Sequence, residues 1–153
     1  MLSVPGMLGV TPSTIPWTGP YLSADPTRVA RWRTWLPQDG LQIGIGWQGN
    51  PAGEVDRGRS FPLALFAAVA AIPSVSLVAL QKGSGLEQIH TVPFGKTIHL
   101  PGSEFDTGNN AFLDTAALMA SLDLVVTSDT AIAHLAGALG RPTFLALQRW
   151  PDW

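Results

Sequence analysis

Apolar residues fall in short unbroken runs separated by polar or glycine-rich stretches, the pattern of strands buried on both faces that alternate with helices. Leu41-Gln-Ile-Gly-Ile-Gly-Trp47 predicts a first strand and Val75-Ser-Leu-Val-Ala-Leu80 a second. Thr97-Ile-His-Leu100 predicts a short third, the run from Asp123 to Val126 a fourth, and Thr143-Phe-Leu-Ala-Leu147 a fifth. Between them, Asp25-Pro26 supplies a cap and a first-turn proline for a helix in which Val29, Trp32 and Leu36 share one face before Pro37. Ser60-Phe61-Pro62 opens a second helix running from Leu63 to near Ala71, Glu87 to His90 form a short one, and Asp114 caps one that continues to Leu122. The fold class is α/β, a doubly wound, mainly parallel Rossmann-like sheet of about five strands. Right-handed crossovers would bring the ends of the first, second and fourth strands to one edge.

The pattern changes after the fourth strand. Leu124-Val-Val-Thr-Ser-Asp-Thr-Ala-Ile-Ala-His-Leu-Ala-Gly-Ala-Leu-Gly-Arg-Pro142 reads as strand, sharp turn and small-residue helix. Ser128, Asp129 and Thr130 are the residue types that cap a helix, so it should begin near Thr130, and Gly140 before Arg141-Pro142 stops it. Unpaired N–H groups at the carboxyl end of a strand suit an anion such as a diphosphate. His134, in the second turn, leans toward the helix N-terminus and would reach back over the same pocket as Asp129 and Thr130. The plainer alternative is that Asp129 and Thr130 only cap and His134 is a core histidine.

Composition narrows the classes. The 153 residues are the size of one domain, and 46% hydrophobic against 13% charged residues is a core-rich composition. A formal charge of −2 leaves no basic face for nucleic acid, and the absence of cysteine excludes disulfides and thiolate metal sites, in keeping with a reducing cytoplasm. The N-terminus has Pro5, Pro12, Pro16 and Pro20 and no basic residue before Arg28, unlike a signal peptide, and no apolar run approaches the ~20 residues that span a bilayer. Residues 1–24, rich in Pro, Gly, Ser and Thr, read as an irregular connector, and 25–153 as the folded domain. The expectation is a soluble, cytoplasmic protein.

Ser-Asp-Thr-Ala-Ile-Ala-His-Leu-Ala-Gly-Ala-Leu-Gly-Arg-Pro, residues 128–142, resembles the Asp-Ser/Thr-Gly-x-x-His-x-Ala-Ala-Ala-x-Gly-x-Pro signature of heptosyltransferase-like glycosyltransferases. The whole chain resembles the glycosyltransferase-like C-terminal region of bacterial tetratricopeptide-repeat proteins. The resemblance implies the C-terminal half of a GT-B fold, binding the diphosphate of a nucleotide-sugar donor, with Ser128, Asp129, Thr130, Ala131 and His134 at the phosphate site. Ala131 stands where the family often has Gly. The resemblance also implies an acceptor, glycan or protein, bound on an N-terminal domain absent here, with any tetratricopeptide repeats outside the chain. The resembling proteins continue past Pro-Asp-Trp with a polar segment and a closing helix. The chain is therefore expected to be a fragment with one exposed sheet flank, prone to form a homodimer or to be less stable than its length implies.

Other candidates lie on the same predicted edge. Gln48 to Ser60 is the most polar segment, with Arg57 and Arg59 just before a helix N-terminus. The resembling enzymes place a basic residue before a similar aromatic-Pro pair, which assigns donor phosphate to Arg59 and secondarily to Arg57; a solvated charged loop is the alternative. Gln81 and Lys82 end the second strand, where Lys82 could meet phosphate and Gln81 a base or sugar, unless they form only a solvated turn. Gly44-x-Gly46-x-x-Gly49 has the letters of a dinucleotide fingerprint, but its first two glycines lie inside a strand, Asn50-Pro51 follows where a helix should open, and Gln81-Lys82 ends the second strand without a ribose-binding acid. NAD is rejected on those grounds, and the glycines are expected to let a neighbouring backbone or ligand come close. No metal-ligand cluster is visible, and none is required, because helix amides, Arg59, Thr130 and His134 would meet the charge growing on a leaving diphosphate. A non-catalytic nucleotide-binding or protein-interaction module, or a domain with no ligand at all, would carry the same pattern.

Overall fold

The computed structural model describes residues 4–15, 18–53, 56 and 58–149. The stretch read as a connector contains a short helix, α1 (Val4–Met7), in which Pro5 falls in the first turn, where its missing N–H is harmless. Helix α2 (Pro26–Trp35) forms as its cap predicts: the Asp25 carboxylate accepts from Arg28 N at 2.9 Å, and Leu36, just before Pro37, turns extended.

Strands β1 (Leu41–Gly46), β2 (Val75–Ala79), β3 (Leu124–Ser128) and β4 (Thr143–Ala146) form one sheet in the order β2-β1-β3-β4, every pairing parallel. The expected extra strand at 97–100 reduces to a single parallel bridge between Val78 and His99. A 3-10 turn over Gly95–Thr97 and Pro101 leave Ile98, His99 and Leu100 between them, and His99 makes the bridge. The sheet therefore has four strands. Helix α3 (Ala67–Ala70) is likewise shorter than expected, its first half being a 3-10 turn, Leu63–Phe66.

Two cores cover the two faces. Trp32 and Leu36 of α2 and Leu118 of α4 (Leu113–Met119) pack with Val78, Leu80 and Val125 on one side. Leu63 and Phe66 pack with Ile43, Ile45, Trp47 and Leu77 on the other. Gly44 and Gly46 admit side chains and not a ligand: a Cβ on Gly44 would lie 2.5 Å from Leu122 Cδ1 and 2.7 Å from Leu80 Cδ1, and one on Gly46 2.8 Å from Thr127 Oγ1. Helix α5 (Ala131–Ala138) lies close on β3 because its buried residues, Ala136 and Ala138, are small. Its end is closed by Gly140 at φ +66 and by residues 20–22, whose Tyr21 and Leu22 amides donate to Ala138 O at 3.0 and 3.1 Å.

Asp114 does not cap α4. Phe112 holds the N-cap position at φ 65 without a side-chain bond, and the cap comes from outside the helix, where Asp106 Oδ1 accepts from Asp114 N at 2.7 Å and Thr115 N at 3.3 Å. The Asp114 carboxylate, almost wholly buried, instead accepts from Arg28 Nη1 at 2.8 Å and Trp32 Nε1 at 3.0 Å, joining α4 to α2. No helix is long and apolar enough to cross a membrane among the described residues.

Candidate functional site

The chain leaves β1 toward β2 on one side and reaches β3 on the other, so the switch point of this parallel sheet lies between β1 and β3. At the carboxyl ends of these strands is a cavity of about 500 Å³, lined by residues following β1, β2 and β3 and by the start of α4. That volume is in the range of small-molecule sites, roughly 300–1,000 Å³.

One wall is the start of α5. Thr130 is its N-cap, extended at φ −138 and ψ 178, and makes no side-chain cap bond; its hydroxyl turns back to Ser128 O at 3.4 Å. The expected side-chain cap is therefore not formed. Thr130, Ala131 and Ile132 line the cavity; Ala133 N and His134 N donate to Thr130 O, and among the described residues the Ala131 and Ile132 amides have no backbone acceptor. Ser128 does not reach it, being wholly buried as the last residue of β3.

Arg59 lines the cavity from the loop after β1 and lies 3.8 Å from the Asp129 carboxylate, both side chains mostly buried. Asp129 thus stands beside Arg59 and outside the lining. Arg57 lies outside the described residues. The loop is folded back by a chain in which Gly49 N donates to Ser60 Oγ at 2.9 Å and Ser60 Oγ to Asp56 Oδ1 at 2.6 Å.

The residues after β2 are in place, but their polar atoms are engaged. Gln81 Oε1 accepts from Trp47 N and Gln48 N at 3.2 and 3.1 Å, and its Nε2 donates to Gln48 O and Ser84 O at 2.9 and 2.8 Å. Both lone pairs and both protons of the amide are used, so Gln81 builds the wall and has nothing left with which to read a base. Lys82 Nζ donates to Phe105 O and Asp106 O at 2.8 and 2.5 Å, tying the loop before α4 to the end of β2. The Gln48 side chain accepts from Gln88 Nε2 at 2.8 Å.

His134 does not reach back over the cavity. It is exposed on α5, in one stripe with Ala131 and Gly137, and is absent from the lining, so neither the core histidine nor the imidazole over the anion pocket is seen. Three to four residues separate positions on one helix face, which puts this stripe opposite Ala136, Ile132 and Leu139, the side packed on the core.

Asn50 and Asp56 belong to the polar segment Gln48 to Ser60, and Asp106 to the polar loop Pro101 to Asn110 that the sequence offers as a rim of the pocket, whereas sequence reasoning did not find Ala111, Phe112 and Thr115 in the lining. Phe112 was hidden because it takes a left-handed backbone, at φ 65, that its residue type does not announce. Asp56 had a signal in Asp56-x-x-x-Ser60, a local carboxylate–hydroxyl pair, that was not used. Among the described residues, no group of three or more His, Cys, Asp or Glu comes together that could hold a metal ion.

The start of α4, β3, α5 and β4 form one continuous run of chain, and known proteins share it. Residues 107–147 match the family model of glycosyltransferase family 9 (heptosyltransferase). The run holds the cavity's Phe112, Thr115, Thr130 and Ala131. Protein FlbA of Caulobacter vibrioides is 32% identical over 138 residues, 88% of this chain and 23% of that protein, so the chain spans about a quarter of its length. Two solved structures share the fold: E. coli ADP-heptose LPS heptosyltransferase II, at TM-score 0.62 and 17% identity over 88% of this chain and 41% of that one. The other is E. coli heptosyltransferase WaaC with ADP-2-deoxy-2-fluoro heptose, at TM-score 0.59 and 15% identity over 97% and 44%. The chain is thus an α/β, parallel-sheet unit similar in fold to part of the heptosyltransferases, and its residues 107–147 match the family 9 model.

Proposed function

We propose that this chain is the donor-binding part of a glycosyltransferase and holds a nucleotide-diphosphate sugar in the switch-point cavity. What carries the reading is the start of α5: a helix N-terminus without a side-chain cap, facing a cavity also lined by Arg59, within family 9 sequence. The helix amides and dipole favour a diphosphate, and the guanidinium offers two-pronged donation to it. As the bond to the sugar breaks, negative charge grows on the leaving diphosphate, and these fixed donors stabilise it without a metal. The acceptor, a glycan or protein, would come from the other domain of a complete enzyme, and His134, exposed beside Ala131, would act only where that domain covers it.

Calorimetric titration with UDP, ADP, GDP and CMP, repeated on Thr130→Val and Arg59→Gln, tests this. One nucleotide should bind, and each variant should weaken it by about 1 kcal/mol or more, as expected for a lost bond to a charged group. Affinity unchanged in both variants would remove the diphosphate from this wall.

A second reading, a non-catalytic nucleotide-binding module accompanying tetratricopeptide repeats, is favoured by one observation. His134, expected from the sequence to meet the charge growing on a leaving diphosphate, is exposed on α5 and outside the cavity lining, whereas the start of α5 and Arg59, which would bind, are on it. Binding without sugar transfer when the complete protein is assayed with acceptor would decide for it.

A further inference from the structure

Phe112 occupies a backbone position that phenylalanine disfavours. At φ 65 and ψ −2 it lies in the left-handed region, where a bulky residue is an outlier and where such outliers gather at ligand sites. The helix that follows gains nothing from the phenylalanine itself, since the side chain makes no cap bond and Asp106 takes the Asp114 and Thr115 amides. Neither packed core includes the ring, and 47% of the residue is exposed. Phe112 lines the cavity instead, with Asp106, Ala111 and Thr115 around the start of α4.

The polar wall of the same cavity, Asn50, Arg59 and Thr130, comes from the ends of β1 and β3. Where α4 begins, Phe112 adds an aromatic residue to the lining beside Asp106 and Thr115. We propose that the Phe112 ring is the stacking platform for the heteroaromatic base of a nucleoside diphosphate, the base lying on the ring while the diphosphate meets the start of α5. This rests on the donor-site reading above and adds the residue that makes the ligand a nucleotide and not merely a diphosphate. Every nucleobase has a π-face, so the platform strengthens binding without choosing among bases.

The test uses Phe112→Gly, which removes the ring and also suits the left-handed backbone, with Phe112→Trp as the conservative partner. ADP, UDP, GDP and inorganic pyrophosphate are titrated into each protein. Support is a nucleoside diphosphate whose Kd rises at least about five-fold in Phe112→Gly, the lower end of base–aromatic stacking, and stays within about two-fold in Phe112→Trp, with pyrophosphate binding the same in all. Phe112→Gly should melt at a higher temperature than the native chain while binding nucleotide more weakly, a combination that a purely structural phenylalanine would not produce. A Kd for nucleotide within about two-fold of native in Phe112→Gly overturns the proposal, as does a parallel loss of pyrophosphate. Pyrophosphate that binds as tightly as every nucleotide leaves the anion site standing and removes the platform. Binding of none of the probes takes away the donor-site reading and the platform with it.

Discussion

Asp114 shows how a single carboxylate can be misread. Its place at the start of a helix made it a cap by residue type, yet its oxygens face Arg28, Trp32 and the Asp106 amide. Burial pushes its pKa up, but the bonds from Trp32, Arg28 and the Asp106 amide, with the Arg28 charge, outweigh that and hold it below the usual carboxyl range. A group whose folded pKa is depressed contributes stability that is complete above its unfolded value and lost as pH falls through the folded one. Asp114→Asn should therefore cost most at neutral pH, and its urea midpoint should converge on the native one as pH drops through the carboxyl range. Asp114→Ala, which leaves the Trp32 N–H and Arg28 without this acceptor, should cost about 2–3 kcal/mol, the low side for a broken buried pair because Arg28 keeps 29% of its side-chain surface in water.

Among the elements, β1 carries the glycines that imitate a cofactor fingerprint. Gly44 faces the closely packed Leu80 and Leu122, 2% and 1% exposed, so a methyl group there overfills the core. Gly44→Ala should lower stability by about 1–3 kcal/mol in chemical denaturation and leave nucleotide affinity unchanged. An altered affinity with normal stability would restore a ligand role to this strand. The loop after β1 and the start of α5 meet at Gly49, where a Cβ would lie 2.7 Å from Asp56 Oδ1 and 3.6 Å from Thr130 Cγ2. Elements of different sequence position thus build one wall, and the shared edge of Arg59 and Thr130 was legible from the alternation of strands and helices, while the side-chain contacts within it were not.

At the scale of the molecule, the open flank is β4. Among the described residues it pairs only with β3, and Phe144, Leu145 and Leu147 are 68%, 42% and 56% exposed. Beside it runs an apolar groove of about 410 Å³ that includes Phe61, Leu65, Phe66, Val69, Val126 and Leu147. An apolar strand edge of this kind favours association. Light scattering of the isolated chain should show concentration-dependent association, and Phe144→Lys with Leu147→Lys should suppress it without lowering nucleotide affinity. A monomer at high concentration in the native chain would count against it.

The order of strands and helices, the parallel sheet and the start of α5 were set by local pattern: apolar run length, a proline after a cap, and small residues ending in glycine and proline. These depend on neighbours a few residues away, so the sequence by itself determines them. The length of the 97–100 segment, the source of the α4 cap, the consumption of the Gln81 amide and the placing of Phe112 and Asp106 on the cavity depend on residues far apart in the chain. A side chain's partners, and the backbone angle its neighbours force on it, exist only once the sheet has brought those residues together, and so only the tertiary structure decided them.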